Sequence, residues 1–325
     1  MTAFLSGDHS WVLFIMVLAS AILSVLLPWL KKATATNVLS ASIILIFVAQ
    51  FVMTSDIFSS LPLVGESIHV SRDVLFRDLG FRPASIVDDI EIHQFLTSMF
   101  LHNDFLHVMM NFLGLFILGT QLEHKIGWKR FLILYYGSGI IAGAVVLSIS
   151  PFDVLGHSMT SVSIGASGCI FGLLGGFWYL YPREEIYFPL IILKKWPISL
   201  IILLYGGFSA LMILVRSDDE VSHVAHFAGM VGAIPIAFLI KPKSEEAEEV
   251  VKKLHASSEE LMALTTGKKQ KEILNKALKA DEEDVRDAWL EEFFSRINCP
   301  KCGGKGMHYE GKDAICPKCG KRLRP

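Results

Sequence analysis

The sequence predicts an all-α polytopic membrane protein that ends in a small metal-binding domain. Of its 325 residues, 52% are hydrophobic and 19% are charged, and the mean hydropathy is +0.47. Soluble domains carry about 25% charged residues, so this chain is unusually apolar. The apolar residues form seven long runs, and four of the five cysteines lie in the last 27 residues. The net charge of −2 gives no global attraction to nucleic acid.

Each apolar run is near the length that crosses the ~30 Å hydrocarbon core of a bilayer. The first run alone could instead be a signal peptide, but no basic segment precedes it and it is long for that role. We therefore interpret it as a retained helix. The runs cover residues 11–30, 37–54, 104–122, 129–149, 164–181, 197–215 and 222–240.

The distribution of Lys and Arg in the short loops predicts the orientation. These residues follow runs one, three, five and seven, whereas loop 150–162 has none and loop 216–221 has only Arg216. Cytoplasmic loops are enriched in Lys and Arg, so we expect the N-terminus outside and the C-terminus in the cytosol.

Polar side chains inside a membrane are costly and mark functional sites. Runs three, five and seven all carry them near the outer end, and the helical rise places Asn111, Ser167 and His226 at a depth of very roughly 5–10 Å. Three separate segments therefore place reactive groups at one depth on one side. The residues are His102, His107, Asn111, Ser167, His223 and His226.

A serine hydroxyl becomes a nucleophile when a base removes its proton, and a neutral imidazole can do this near pH 7. We therefore predict a catalytic dyad of Ser167 as nucleophile and His226 as base. No Asp or Glu lies inside runs five or seven, and the acidic residues 218–220 are in an outer loop. Phe171, one helical turn after Ser167, could hold the imidazole by stacking.

Acyl transfer also needs donors aimed at the developing oxyanion. His107 and Asn111 are four residues apart and share a helix face, so both could donate. The backbone N–H of Ser167, at the start of its helix, is a third donor. Gly165 would leave room for the substrate backbone.

Small residues let membrane helices approach closely. Gly168, Gly172 and Gly176 form a ridge on run five, and Gly229 and Gly232 form one on run seven. We expect these ridges to face each other and bring His226 to Ser167.

Two other uses of these residues stay open. His102, His107, His223 and His226 could ligate zinc in a membrane hydrolase or a metal transporter, because imidazole suits that metal. Cys169 is a rival nucleophile, but it points about 200° away from Ser167 on a helix, which favours a buried, inert thiol.

Several segments resemble the rhomboid family of intramembrane serine proteases. They are "HVMMN" (107–111), "GTQLEHKIG" (119–127), "GASG" (165–168) and "AHFAG" (225–229), in this order. "LGFRPASI" and "FLTSMFLH" also look like the segments that precede the first motif. Together they cover about 37–240.

The resemblance implies a six-helix protease core at 37–243, preceded by an extra transmembrane helix at 1–36. It implies cleavage of transmembrane or membrane-proximal segments of proteins in the bilayer, without a catalytic cofactor. Ser167 and His226 would be the dyad, with His107 and Asn111 at the oxyanion site. The family often has Trp-Arg in the long outer loop, where this chain has His93-Gln94. A rhomboid-like binding protein without catalysis is a further alternative.

The composition changes after Lys243. Residues 244–296 are charged, with apolar residues near helical spacing, and predict a cytosolic connector of two or three amphipathic helices.

Residues 297–325 contain two C-P-K-C-G motifs whose cysteine pairs are separated by 13 residues. Two such pairs supply four thiolates to one tetrahedral zinc ion, and disulfides rarely persist in the cytosol. We therefore predict a zinc ribbon with one structural zinc, whose partner is either protein or nucleic acid. The ligands are Cys299, Cys302, Cys316 and Cys319.

Overall fold

The computed structural model divides the chain into two compact units, Met1–Lys241 and Pro242–Pro325. It describes residues 10–55, 69–153, 155, 157–188, 191–215, 222–241, 261–280, 283–310 and 313–323.

The first unit is a helical bundle with one β-hairpin. Its helices are α1 (Ser10–Trp29), α2 (Ala35–Thr54), α3 (Arg72–Leu79), α4 (Pro83–Asp89), α5 (Gln94–Thr97), α6 (Phe105–Ile126), α7 (Trp128–Ile149), α8 (Ser167–Leu180), α9 (Ile198–Val215) and α10 (His223–Ile240). The antiparallel strands β1 (Glu185–Phe188) and β2 (Ile191–Pro197) lie between α8 and α9.

Six of the described helices are long and apolar enough to cross a membrane: α1, α2, α6, α7, α9 and α10. Large apolar side chains cover their outer surface; Leu214 and Leu239 are 80% and 79% exposed. Such a surface is stable in hydrocarbon rather than in water. The predicted polytopic helical fold is confirmed.

Helix α8 is shorter than the predicted run at 164–181. It begins at Ser167 and has 14 residues, about 21 Å at 1.5 Å per residue. The preceding chain is extended, because Phe81 and Ser163 exchange two backbone hydrogen bonds of 2.9 Å. A helix of this length cannot cross the hydrocarbon core, which leaves space above its N-terminus.

Two features of the first unit were not predicted. The long loop between α2 and α6 contains the short helices α3 to α5, and the loop after α8 forms the β1–β2 hairpin. The extra helix α1 shares the bundle core, because Leu13 and Val17 are fully buried. Its Ser24 hydroxyl lies 3.1 Å from the Tyr136 hydroxyl of α7.

A buried carboxylate joins α6 to the start of α2. Glu123 accepts hydrogen bonds from the backbone N–H groups of Ala35 (2.8 Å) and Thr36 (2.7 Å), and from the Thr36 hydroxyl (2.7 Å). The first N–H groups of a helix have no intrahelical partner and favour negative charge. Glu123 therefore fixes the register between these two helices.

We expect Glu123→Ala to lower the free energy of unfolding by about 3 kcal/mol, because it leaves buried donors without a partner. Denaturant titration of the protein in detergent would measure this. Glu184→Ala is the matched control: its pair with Lys125 (3.1 Å) is half exposed, and such pairs contribute at most about 1 kcal/mol. Equal losses in the two variants would contradict the capping role.

The second unit combines two helices with a three-stranded antiparallel sheet. The helices are α11 (Lys268–Lys279) and α12 (Glu283–Ser295); the strands are β3 (His308–Glu310), β4 (Asp313–Ile315) and β5 (Arg322–Leu323). Buried residues of both parts form one core: Ile273, Leu274, Ala277, Phe293, Phe294, Met307, Ala314.

This differs from the prediction of a connector at 244–296 separate from a ribbon at 297–325. The helices pack on the ribbon because its strands bury too few apolar side chains alone; Phe294 stacks on Tyr309 at 5.6 Å. The Tyr309 hydroxyl also donates to Asp287 Oδ1 (3.1 Å). Residues 244–260 lie outside the described part of the chain.

Candidate active site

The structure brings Ser167 and His226 together. Ser167 is the first residue of α8 and His226 is the fourth of α10. His226 Nε2 lies 2.8 Å from Ser167 Oγ, a hydrogen-bond distance. Phe171 stacks on the His226 ring, with centroids 4.3 Å apart and planes 6° from parallel. Stacking on one face and the hydrogen bond at one edge together fix the imidazole.

Glycines allow α8 and α10 to approach, but not all those that we expected. A Cβ atom at Gly229 would overlap the backbone oxygen of Gly168, and one at Gly175 would overlap the backbone oxygen of Met230. These pairs set the spacing of the two helices. The predicted ridge on run five was partly wrong, because its lower glycines are rotated towards another helix.

That other helix is α7. A Cβ atom at Gly172 would overlap Ser138, although Gly229 is also near, and one at Gly176 would meet Leu134 at 2.5 Å. Gly232 of α10 likewise faces Ile141. Helix α7 therefore packs against both α8 and α10 and helps to fix the position of one relative to the other.

His107 is held by the turn at the start of α6. Asp104 caps this helix and accepts from the His107 N–H (2.9 Å). The Asn103 N–H donates to His107 Nδ1 (3.3 Å). Because Nδ1 accepts, the ring proton of a neutral His107 is on Nε2. His107 Nε2 faces Gly165, since a Cβ atom added to Gly165 would lie 2.7 Å from this nitrogen.

Asn111 lies one turn further along α6 and is 5% exposed. Its Nδ2 donates to the His107 carbonyl (2.8 Å), which uses one of the two amide protons. Asn111 therefore retains a second N–H donor beside His107.

Gly165 adopts a φ of +117°, which favours glycine. Its N–H donates to the Ser98 carbonyl (2.8 Å). We predicted that Gly165 leaves room for the substrate; in the structure the atoms nearest to an added Cβ belong to His107. Glycine here lets the His107 ring approach Ser167, whose own N–H has no intrahelical acceptor because it begins α8.

A cavity of about 900 Å³ connects these groups. It extends along the N-terminal half of α8, and Ser167, His226, His107 and Asn111 all line it. Two further lining residues, His157 and Ser222, were missed by the sequence analysis. The sequence could have indicated His157, because it is a histidine in the loop before α8. That loop is predicted to lie on the same side of the membrane as the other polar residues.

Comparison with known proteins identifies the fold family. A family model for the rhomboid domain matches residues 89–243. The putative rhomboid protease YdcA of Bacillus subtilis is 32% identical over 191 residues, which cover 58% of this chain and 84% of the relative. The chain belongs to the rhomboid family.

Other relatives match over smaller shares of their length. RHOMBOID-like protein 5 of Arabidopsis thaliana is 30% identical over 50% of this chain and 49% of its own. The rhomboid protease GluP of Bacillus subtilis is 29% identical over 54% of this chain and 31% of its own. The similarity to these two proteins therefore covers about half of this chain and less than half of theirs.

His93-Gln94 occupies the position where the rhomboid family often has Trp-Arg, and Gln94 makes its contacts there without an arginine. Gln94 is fully buried; its Oε1 accepts from the Arg82 N–H (2.9 Å), and its Nε2 donates to the Arg77 carbonyl (3.0 Å) and to Glu91 (2.8 Å). One neutral amide thus links three points of the outer loop. The glutamine at this position therefore holds the described segment from Arg77 to Gln94 together through hydrogen bonds.

The four histidines that could have ligated zinc lie in two pairs. The His102 and His107 rings are 5.0 Å apart, and the His223 and His226 rings are 6.0 Å apart. Within the described ranges, the four C-terminal cysteines are the one set of His, Cys, Asp and Glu that gathers as metal ligands do. The residues 218–220 lie outside those ranges.

His102 and Cys169 are both buried in the helical bundle. His102 is fully buried, and the Gln50 amide brackets its backbone: Nε2 donates to the His102 carbonyl (2.6 Å) and Oε1 accepts from its N–H (3.3 Å). Cys169 is 1% exposed and lies against α7, where a Cβ atom at Gly139 would overlap its sulfur. The thiol is therefore shielded, as the sequence predicted.

A separate four-cysteine cluster lies in the second unit. The four Sγ atoms lie within 4.8 Å of one another. The Cys299–Cys319 and Cys302–Cys316 sulfur pairs are 3.7 Å apart. Zn–S bonds of about 2.3 Å in a tetrahedron place sulfurs about 3.8 Å apart. The cluster therefore has the dimensions of a tetrahedral metal site with no open position.

Both C-P-K-C-G motifs fold into the same turn. The fifth residue of each, Gly303 or Gly320, has φ near +67° (+66° and +68°) and donates its N–H to the carbonyl of the first cysteine. Glycine is favoured at these angles. Desolvation raises the pKa of the Cys299 thiol, but hydrogen bonds from the backbone of Cys302 and Lys301 outweigh it and bring the pKa to about 6. The Lys321 backbone lowers the pKa of the Cys319 thiol, but desolvation and hydrogen bonds with the other three thiols outweigh it and raise the pKa to about 11. The backbone hydrogen bonds therefore favour the thiolate at Cys299.

Proposed function

We propose that this rhomboid is an intramembrane serine endopeptidase that cleaves transmembrane or membrane-proximal segments of other proteins. The observation that carries the proposal is the 2.8 Å separation of Ser167 Oγ and His226 Nε2, in a cavity beside a helix too short to cross the bilayer. A nucleophile and a base within hydrogen-bond reach are the arrangement that covalent acyl transfer requires, and this supports the proposal.

In the first step, Ser167 Oγ attacks a peptide carbonyl while its proton passes to His226 Nε2. The carbonyl oxygen becomes an oxyanion, which accepts hydrogen bonds from His107 Nε2–H, Asn111 Nδ2–H and the Ser167 N–H. The intermediate collapses when the C–N bond breaks, and His226 returns the proton to the amine that leaves. The product is an acyl-enzyme ester on Ser167.

In the second step, His226 takes a proton from water as the water attacks the ester. The second tetrahedral intermediate uses the same donors, and its collapse returns the proton to Ser167. The polar groups that line the cavity can hold the attacking water by hydrogen bonds. With the N-terminus outside and the C-terminus cytosolic, as the Lys and Arg pattern predicts, this is the outer side of the membrane.

A small fluorophosphonate tests the dyad directly. It reacts with a serine that a base activates, so we expect mass spectrometry of the protein in detergent to find the adduct on Ser167. His226→Ala should slow the reaction at least 100-fold, because the proton has no acceptor. His124→Ala is the matched control, since His124 is exposed at the opposite end of α6.

The same assay separates the alternatives. Absence of labelling at Ser167 would favour a rhomboid-like binding protein without catalysis. Peptide cleavage that survives Ser167→Ala and stops with a chelator would favour a zinc-dependent hydrolase that uses the membrane histidines.

For the second unit we propose one structural zinc held by the four cysteines, and we leave its partner, protein or nucleic acid, open. Thiolate ligands suit zinc, and a unit of this size gains much of its folding free energy from the metal.

Cys316→Ser is expected to reduce the bound zinc from about one ion per chain to none, measured by elemental analysis. The second unit should then become sensitive to protease, because its small core includes the ligands. Cys169→Ser keeps all four ligands and should retain the zinc. Full zinc content in the Cys316 variant would contradict this site.

A further inference from the structure

His157 is a buried histidine in the wall of the active-site cavity that the dyad mechanism does not use. It lies in the loop between α7 and α8 and is 6% exposed. Its Nε2 lies 3.1 Å from the hydroxyl oxygen of Ser222. Its Nδ1 is buried and has no hydrogen-bond partner among the residues that the structure describes.

Ser222 connects His157 to the helix of the base. Its side chain caps α10 by accepting from the Ala225 N–H (3.3 Å), and its carbonyl accepts from the His226 N–H (3.1 Å). The hydrogen bond between Ser222 and His157 Nε2 fixes the orientation of the His157 ring. Nδ1 is then the ring nitrogen that has no hydrogen-bond partner among the described residues. Burial lowers the pKa of His157, so the ring is neutral at pH 7, with one N–H and one bare nitrogen.

A buried polar atom without a partner is costly, by about 1–3 kcal/mol. Such atoms are rare and call for an explanation, and a substrate bound in the cavity would supply the missing partner. The cavity near His157 is also lined by Ser161, Val162 and Ser163, the extended segment that precedes α8. A polypeptide that reaches Ser167 along this segment presents main-chain amides to the wall.

We infer that His157 is a substrate-binding residue, whose Nδ1 forms a hydrogen bond with one main-chain amide group of the polypeptide, while Nε2 and Ser222 hold the ring in position. This inference rests on the proposed protease function. It predicts that His157 contributes to substrate affinity and not to the chemistry at Ser167.

Two amide variants separate the ring nitrogens. The side-chain amide of Asn places its polar atoms near Nδ1, and that of Gln places them near Nε2. We expect His157→Gln to raise KM for a transmembrane peptide about tenfold, the effect of one hydrogen bond, with kcat within about twofold. His157→Asn should restore KM to within about threefold of the parent. His124→Gln is the control for a histidine outside the cavity.

A substrate series with single ester bonds in place of successive amides identifies the partner, because an ester lacks the N–H and is a weaker acceptor. The parent should lose about tenfold in kcat/KM at one position, and His157→Gln should lose nothing more there. Equal penalties in both proteins at every position would overturn the inference, as would a KM in His157→Gln equal to that of the parent.

Fluorophosphonate labelling keeps this result separate from the proposed function. A parent protein that is not labelled at Ser167 would contradict the protease and with it the role of His157. A labelled parent with unchanged KM in the variant would contradict only the role of His157. A variant with slower labelling and reduced thermal stability would show that His157 supports the fold instead.

Discussion

Ser167→Ala is expected to abolish cleavage of a transmembrane substrate, with kcat reduced by at least about 10⁴-fold. The substitution removes the oxygen that forms the acyl-enzyme and leaves the rest of the cavity intact. KM should remain within a few fold, since the hydroxyl contributes little to substrate binding. Gel-based kinetics with a labelled substrate in proteoliposomes would measure both constants.

Cys169→Ala is the matched control for Ser167→Ala, because it removes the rival nucleophile two residues along the same helix. Cys169 also lines the cavity, but it is 1% exposed and lies against α7, so we do not expect its thiol to attack the substrate. We expect cleavage within about threefold of the parent. Activity that disappears in the cysteine variant and survives in the serine variant would assign the chemistry to the thiol and end the dyad proposal.

Much of the bundle could be predicted, because it depends on quantities that sequence encodes locally. Apolar run length predicts the spans, and the polar residues at the outer ends of runs three, five and seven predict a shared depth. That depth, together with the requirements of a nucleophile, a base and oxyanion donors, selected Ser167, His226, His107 and Asn111, which the structure places around one cavity. Their catalytic roles stay predictions for the experiments above.

Properties that depend on the rotation of one helix against another could not be predicted. The glycine ridges of runs five and seven identify small faces, but the helical period alone does not say which neighbour each face meets. Gly175, absent from the expected ridge, contacts α10, while Gly176 contacts α7. His157 was missed for a related reason, because its position depends on a loop conformation that has no periodic pattern.

The second unit and the β1–β2 hairpin show a different limit. The charged helices looked like a solvated connector, since their apolar residues are few, yet those residues form a common core with the ribbon. A small metal-binding domain lacks enough apolar surface of its own, so burial of α11 and α12 against it follows from its size. The run from residue 185 to 197 is rich in β-branched and aromatic residues, a strand signal that the loop assignment overlooked.

Gly229→Ala is expected to reduce kcat at least about 100-fold, although it adds one methyl group and changes neither residue of the dyad. The new Cβ would overlap the backbone oxygen of Gly168, which cannot rotate away as a side chain can. Helix α10 must therefore move from α8, and a displacement of about 1 Å at a catalytic group costs about two orders of magnitude. Stability should fall by about 1–3 kcal/mol through overpacking.

Gly207→Ala tests whether this effect comes from the helix contact. A Cβ atom at Gly207 of α9 meets no atom within 4 Å, and alanine favours helix, so activity should be retained and stability unchanged or slightly raised. In the Gly229 variant, fluorophosphonate labelling of Ser167 should slow in parallel with kcat, because the Ser167–His226 hydrogen bond lengthens. If labelling stays fast while cleavage fails, the glycine contact controls substrate entry instead, and the spacing of α8 and α10 does not set the geometry of the dyad.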